Sequence, residues 1–198
     1  MMPWIARSLL LLAAFFAFAP ATAEWRPTER VETYAIRGTT GAELYGSIGE
    51  RGPKVGVGRA IAHTDFQLTW RRDYQPRDGG CVLASAVPRL VITYTLPKAP
   101  AGLAADVDAS WKTFIAGVEA HERVHGDYIE ELARQIEAVT VGLSVADDPG
   151  CRKIRKELTN RLAPLAAAHR ERNSSYDRAE LSQGGNVHQL ILNLVSGP

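Results

Sequence analysis

The chain has 198 residues, with 23 basic against 22 acidic side chains and a formal net charge of +1. Charge this evenly balanced leaves no footprint for nucleic acid or an anionic membrane, which excludes two large classes of partner. Residues 24–198 suit one domain with a single hydrophobic core once the N-terminal segment is set aside.

That segment, Met1 to Ala23, combines Arg7, an apolar run from Leu9 to Phe18 and the small-x-small sequence Ala21-Thr22-Ala23. This is the pattern of a secretory signal peptide, and the apolar run is too short to span a bilayer. Its removal takes away one basic residue and no acidic one, so the mature chain from Glu24 carries equal numbers of each. An exported protein is expected, periplasmic or extracellular, with no membrane insertion after the signal is removed. In an oxidising compartment the only two cysteines, Cys81 and Cys151, are expected to form a disulfide. The loop it closes, about 70 residues, corresponds to roughly 4 kcal/mol on the chain-entropy model.

From about Val31 to Leu96 the signals are strand-like. Phe66, Leu68 and Trp70 alternate with polar neighbours, as do Leu90, Ile92, Tyr94 and Leu96. Punctuation at Gly38, Gly41, Gly49, Gly52-Pro53 and Gly79-Gly80 divides this half into hairpin-sized pieces, which predicts an antiparallel sheet over about 31–97. His63 shares the parity of Asp65 and Gln67, so it is expected on the polar face.

After Pro97 and Pro100 the period changes to that of a helix. Asp106, Asp108 and Ser110 are candidate caps for a first helix running to about Leu143. Trp111, Ile115, Val118, Ile129, Leu132 and Ile136 recur at three- and four-residue steps and mark its buried stripe. Asp147-Asp148-Pro149-Gly150 separates it from a second helix striped by Ile154, Leu158, Leu162 and Leu165, with helical signal over about 106–178 in all. A sheet followed by helices is an α+β arrangement.

Within the first helix stands His121-Glu122-Arg123-Val124-His125, an H-E-x-x-H motif. Two histidines four residues apart project from one helix face at a spacing that suits two ligands on one zinc ion, with Glu122 beside them as general base. Glu122 and His125 also fall on the core-facing stripe, where a carboxylate and an imidazole cost several kcal/mol unless compensated, as a bound cation would do. The competing reading is a helix with two satisfied structural histidines.

A metallopeptidase of this kind needs a third protein ligand. The metzincin extension is excluded, because Tyr128 and Glu131 occupy the places of its glycine and histidine. Asp177, Glu157 and His188 are the candidates in that order, with His169 a further histidine. Tyr128, one turn from His125, is expected to pack, with assistance to an oxyanion as the alternative. Asn173-Ser174-Ser175 matches a glycosylation sequon, a short pattern that carries little weight.

The chain resembles the bacterial DUF922 proteins, described as predicted secreted zinc-dependent proteases. The resemblance rests on Tyr34-Ala35-Ile36-Arg37-Gly38, on Gly58 to Thr64 leading into Leu68-Thr69-Trp70, and on Cys81 ahead of Tyr94-Thr95-Leu96-Pro97. It continues through Trp111, the motif from His121 to His125, and Cys151 to Tyr176-Asp177. In the family pattern Tyr-Asp is followed by a Thr-x-His-Gly element, and here Glu180-Leu181-Ser182-Gln183 stands in its place. The resemblance implies a zincin-like fold, a Zn2+ cofactor and Asp177 among the site residues.

Together these readings predict a secreted zinc metallopeptidase acting on a peptide or protein, including cell-wall peptides, with a strand such as Leu90 to Leu96 receiving the substrate by edge pairing. The alternative function is a catalytically degenerate, zincin-like envelope protein that binds a partner without cleaving it.

Overall fold

Two long strands, β4 (His63–Arg77) and β5 (Gly80–Lys98), form the frame in a computed structural model that describes residues 25–197. The signal-peptide reading of residues 1–23 lies outside the described residues. β4 and β5 are joined by the two-residue turn Asp78-Gly79, both at positive φ, which is the backbone that a tight hairpin with right-handed strand twist demands. The register shifts between Asp73 and Tyr74, so Cys81 and Leu83 stay on the same buried face as Leu90, Ile92, Tyr94 and Leu96.

Strand β1 (Thr28–Ala35) pairs with the other edge of β5 in parallel, Thr28 opposite Val91 through Ala35 opposite Lys98. The sheet order is β1-β5-β4, with β6 (Ser144–Val145) added beside Cys81 and Val82. The expectation of a purely antiparallel sheet is therefore corrected to a mixed one. Alternation reports which face of a strand is buried and is blind to strand direction. β5 is also the central strand, so the segment Leu90 to Leu96 offers no free edge, and β1 and β4 are the edges instead.

The chain between β1 and β4 contains α1 (Gly41–Arg51) and a two-stranded hairpin, β2 (Lys54–Val55) with β3 (Gly58–Arg59). α1 was not expected. Its start is a complete capping box, with the Thr40 hydroxyl accepting from Glu43 N–H and the Glu43 carboxylate accepting from Thr40 N–H. Of the glycines that read as strand punctuation, Gly41 begins this helix, buried against Leu194, and Gly49 is an exposed helical position facing open space.

α2 (Ala105–Thr140) lies across the inner face of the sheet, packing Ile129 and Ala133 on Leu90, Ile92 and Tyr94. Its N-cap is Ala104, so none of the three expected caps serves: Asp106 and Asp108 sit in its first turn, where their charge suits the helix dipole, and Ser110 lies inside the helix. α3 (Lys153–Leu181) runs antiparallel alongside. Its start is fixed by Asp148, whose carboxylate accepts from Arg152 N–H at 2.8 Å and Ile154 N–H at 2.9 Å. The Cys81–Cys151 disulfide joins that start to β5, within a cluster of Leu83, Leu143, Ile154 and Leu158. α4 (Asn186–Val195) extends the helical region beyond the expected end near 178 and seats Leu190 against Gly117 of α2 and Leu194 against Gly41 of α1. The result is a mixed α+β architecture, the three long strands of the sheet contributed by the N-terminal half and the long helices by the C-terminal half. Among the described residues no helix is long and apolar enough to cross a membrane.

Candidate metal centre

The H-E-x-x-H turn of α2 is pinned to the sheet by the residues around it. Gly126, directly after His125, lets α2 close on Tyr94, since a Cβ there would lie 2.0 Å from the Tyr94 hydroxyl. That hydroxyl donates to Glu29 of β1 at 2.7 Å. Arg123 stacks over the Tyr94 ring at 4.2 Å and pairs with Glu29 at 2.8 Å and Glu119 at 3.0 Å. Arg123 therefore faces the sheet side of the helix and leaves the neighbouring face to His121, Glu122 and His125, which are 7%, 6% and 9% exposed.

On that face three ligand-type atoms converge. His125 Nε2 lies 3.2 Å from His121 Nε2 and 2.9 Å from Asp177 Oδ1 of α3, and His121 Nε2 lies 3.3 Å from the same oxygen. Among the described residues these three side chains form a group that could hold a metal ion. Glu122 is held separately, its Oε2 accepting from the Thr64 hydroxyl at 2.5 Å. Thr64 is the second residue of β4, so both the sheet edge and α2 position the carboxylate.

The electrostatics follow from this crowding. Burial works to raise the Asp177 carboxyl, yet hydrogen bonds from His121 and His125 outweigh it and hold the group well below the usual carboxylate range. Burial likewise works to lower His125, but its contacts with Asp177 and Asn173 raise it above the ordinary histidine value. The protein itself thus stabilises positive charge against Asp177 where a cation would sit. Tyr176 stacks on His121 at 4.8 Å, and burial, reinforced by the Glu180 charge, pushes its hydroxyl up to about 12. It remains a neutral wall of the site.

A cavity of about 440 Å³ opens beside these three side chains. Its polar end holds His121, Glu122, His125, Asp177, Asn173 and Thr64. Val118, Ile129, Phe66, Ile61, Leu181 and Val187 make the remainder largely apolar. A family model described as "Bacterial protein of unknown function (DUF922)" matches residues 31–185. The chain belongs to DUF922. No curated protein and no solved structure matches it. The matched span of this DUF922 chain includes every ligand-type residue of the centre, and the body of α4 lies beyond it.

The other candidates for a third ligand are elsewhere. Glu157 is half-buried and pairs with Arg161 at 3.0 Å near the start of α3, far from Asp177. His188, on α4, accepts from Gly184 N–H at 3.4 Å. His169 lines the cavity one turn before Asn173 without joining the triad. Tyr128 packs beneath the Arg172 guanidinium at 3.8 Å and does not line the cavity. His63 departs from the expected exposed position, half-buried on the cavity wall, because β4 begins there and strand parity has no hold on the residue that enters from a loop. Sequence reasoning missed Thr64, Asn173, Tyr176 and Glu180 as site residues. For the last three a signal existed, since they stand four before, one before and three after Asp177, but it becomes legible only once Asp177 is placed.

Proposed function

We propose that this protein is an exported zinc-dependent hydrolase that cuts peptide bonds. The observation that carries this reading is the convergence of His121 Nε2, His125 Nε2 and Asp177 Oδ1 within 2.9–3.3 Å of one another beside a buried glutamate. Ligand atoms about 2.0–2.1 Å from a tetrahedral centre lie roughly 3.3 Å apart, so the set fits zinc in size as well as in donor type. Two imidazoles and one carboxylate also leave a fourth position open, the pattern of a catalytic site.

A zinc ion held there would supply a Lewis acid and acidify water at the open position. Glu122 supplies the proton acceptor. Thr64 occupies its Oε2, which leaves Oε1 to take a proton from the attacking water and to return it to the leaving amine. The apolar walls contributed by Val118, Ile129 and Phe66 keep bulk water away from that transfer. A substrate in extended conformation is received along β4, the sheet edge whose first residues His63 and Thr64 border the cavity, and this replaces the interior strand Leu90 to Leu96 in that role. Substrates are proteins or cell-wall peptides. The Cys81–Cys151 disulfide supports an oxidising, exported location, in accord with the leader-like sequence of residues 1–23.

Elemental mass spectrometry of the purified protein and of a His121→Ala, His125→Ala double variant tests the metal. Near one zinc per chain in the wild type and none in the double variant is expected. Peptide cleavage abolished by EDTA and reduced about 10²- to 10⁴-fold in Glu122→Gln, with zinc retained, is expected next. Zinc without turnover on any peptide library would favour the degenerate binding module, and metal-free wild type would end the enzyme reading.

A further inference from the structure

Asn173, singled out in the sequence only as a sequon, has a different use. Asn173, Asp177 and Glu180 fall at i, i+4 and i+7 of α3 and so share one stripe, which meets His125 and His121 on the antiparallel α2. The Asn173 Nδ2 donates to the His169 carbonyl at 2.7 Å. That bond fixes the amide orientation and turns Oδ1 toward the site, where it stands 2.5 Å from His125 Nδ1. An amide oxygen only accepts, so Nδ1 must carry hydrogen, and Nε2 becomes the nitrogen with a lone pair to offer a cation.

The other histidine lacks this partner. His121 Nδ1 is one of two buried side-chain polar atoms without a hydrogen-bond partner among the described residues, the second being Arg72 Nε. The Glu180 carboxylate faces it, with Oε2 standing 3.9 Å away and making no other ion pair or hydrogen bond among the described residues. A charge-assisted N–H···O contact spans about 2.7–2.9 Å, so a movement of roughly 1 Å completes it.

We propose that Asn173 and Glu180 are positioning residues that hold His125 and His121 as their Nδ1–H tautomers, so that one stripe of α3 supplies one zinc ligand and orients the other two. The proposal rests on the zinc reading above. Its use to the chain is economy of parts: a single helix-to-helix register sets all three ligands at once.

The test is zinc affinity, by competition with a chromophoric chelator, together with the visible spectrum of the Co2+-loaded protein. Wild type, Asn173→Ala, Asn173→Asp, Glu180→Ala and Glu180→Gln are compared, with metal-free melts establishing that each folds. Asn173→Ala and Glu180→Ala are each expected to weaken zinc binding about 10- to 100-fold and to shift the Co2+ bands. Asn173→Asp, which keeps an acceptor at the same place, is expected to restore both. Zinc binding within about twofold of wild type in both alanine variants, with unchanged Co2+ bands, would overturn the positioning role and leave the zinc reading intact. Wild type that binds no zinc would overturn both. Should Asn173→Ala fail to fold, Asn173→Asp decides alone: affinity equal to or above wild type supports the proposal, and weaker binding overturns it.

Discussion

The two helices that meet at the site are held in place very differently. α2 buries apolar residues along its whole length, from Val107 and Trp111 through Val118 to Ile129, Leu132 and Ile136, so His121 and His125 sit on a helix embedded in the core. α3 buries only Ile154 and Leu158, both in its first two turns. Asp177 lies 23 residues beyond Ile154, about 35 Å along the helix at 1.5 Å per residue. The distal half of α3 is held to α2 by polar and aromatic contacts such as the Arg172–Glu131 ion pair, Arg172 over Tyr128 and Tyr176 on His121. Two of the candidate ligands are therefore preorganised by folding, while the third arrives on a lever anchored far from the site. A metal bound there would itself be part of what fixes that lever.

The most severe way to break this asymmetry is to release the anchor. Cys81→Ser with Cys151→Ser is expected to cost about 4 kcal/mol of stability on the chain-entropy model, read by urea unfolding. Hydrogen exchange sharpens the comparison. In the oxidised protein, zinc is expected to slow exchange over residues 170–181 strongly and to leave Ile129 to Ile136 of α2 nearly unchanged. Equal protection of both segments by zinc would show that α3 needs no help from the metal.

The same asymmetry governs what was legible in the sequence. Apolar periodicity located α2 and its motif because that helix is buried on one face throughout, and the isolated cysteine pair located the disulfide. The alternation at Phe66 to Trp70 and Leu90 to Leu96 located β4 and β5. α3 beyond Leu158 carries almost no burial signal, so Asn173 and Glu180 could not be distinguished from solvated polar residues, and Asp177 was approached through a resemblance. Thr64 is 58 residues from Glu122, a separation that no local pattern bridges. α1 was lost to Gly41 and Gly49, which read as strand punctuation, although Thr40 and Glu43 announced its start. α4 has Val187, Leu190, Ile191 and Leu194 at clean helical spacing and was readable, had the tail not been set aside after Asp177.

A smaller lesion on the preorganised side is Gly126→Ala. The added methyl would meet the Tyr94 hydroxyl, displacing the Tyr94–Glu29 bond and lifting α2 from β5 beside His125. Overpacking of this kind costs about 1–3 kcal/mol. Since the two histidines move together on a rigid helix, the loss is expected mainly in melting temperature, with zinc affinity falling less than in any α3 stripe variant. An affinity loss larger than that of Asn173→Ala would show that α2 is the less tolerant partner.

The smallest expected effect is pH-dependent and belongs to the metal-free protein. His125 is raised by its partners, so its contribution is full below its unfolded pKa of about 6.5 and disappears as pH rises through the higher folded value. Asp177 is lowered, so its contribution is present above about 3.9 and is lost only as pH falls through the depressed folded value. Their pairing therefore stabilises most between about pH 4 and pH 6.5. The melting temperature gap between wild type and Asp177→Asn, without metal, is expected to be widest there and to shrink toward pH 8. Zinc reverses the trend, because it needs a neutral imidazole: its stabilisation of the wild type is expected to grow over the same rise. A gap that stays constant from pH 5 to pH 8 would mean that the lever is held by contacts other than the one between Asp177 and the histidines.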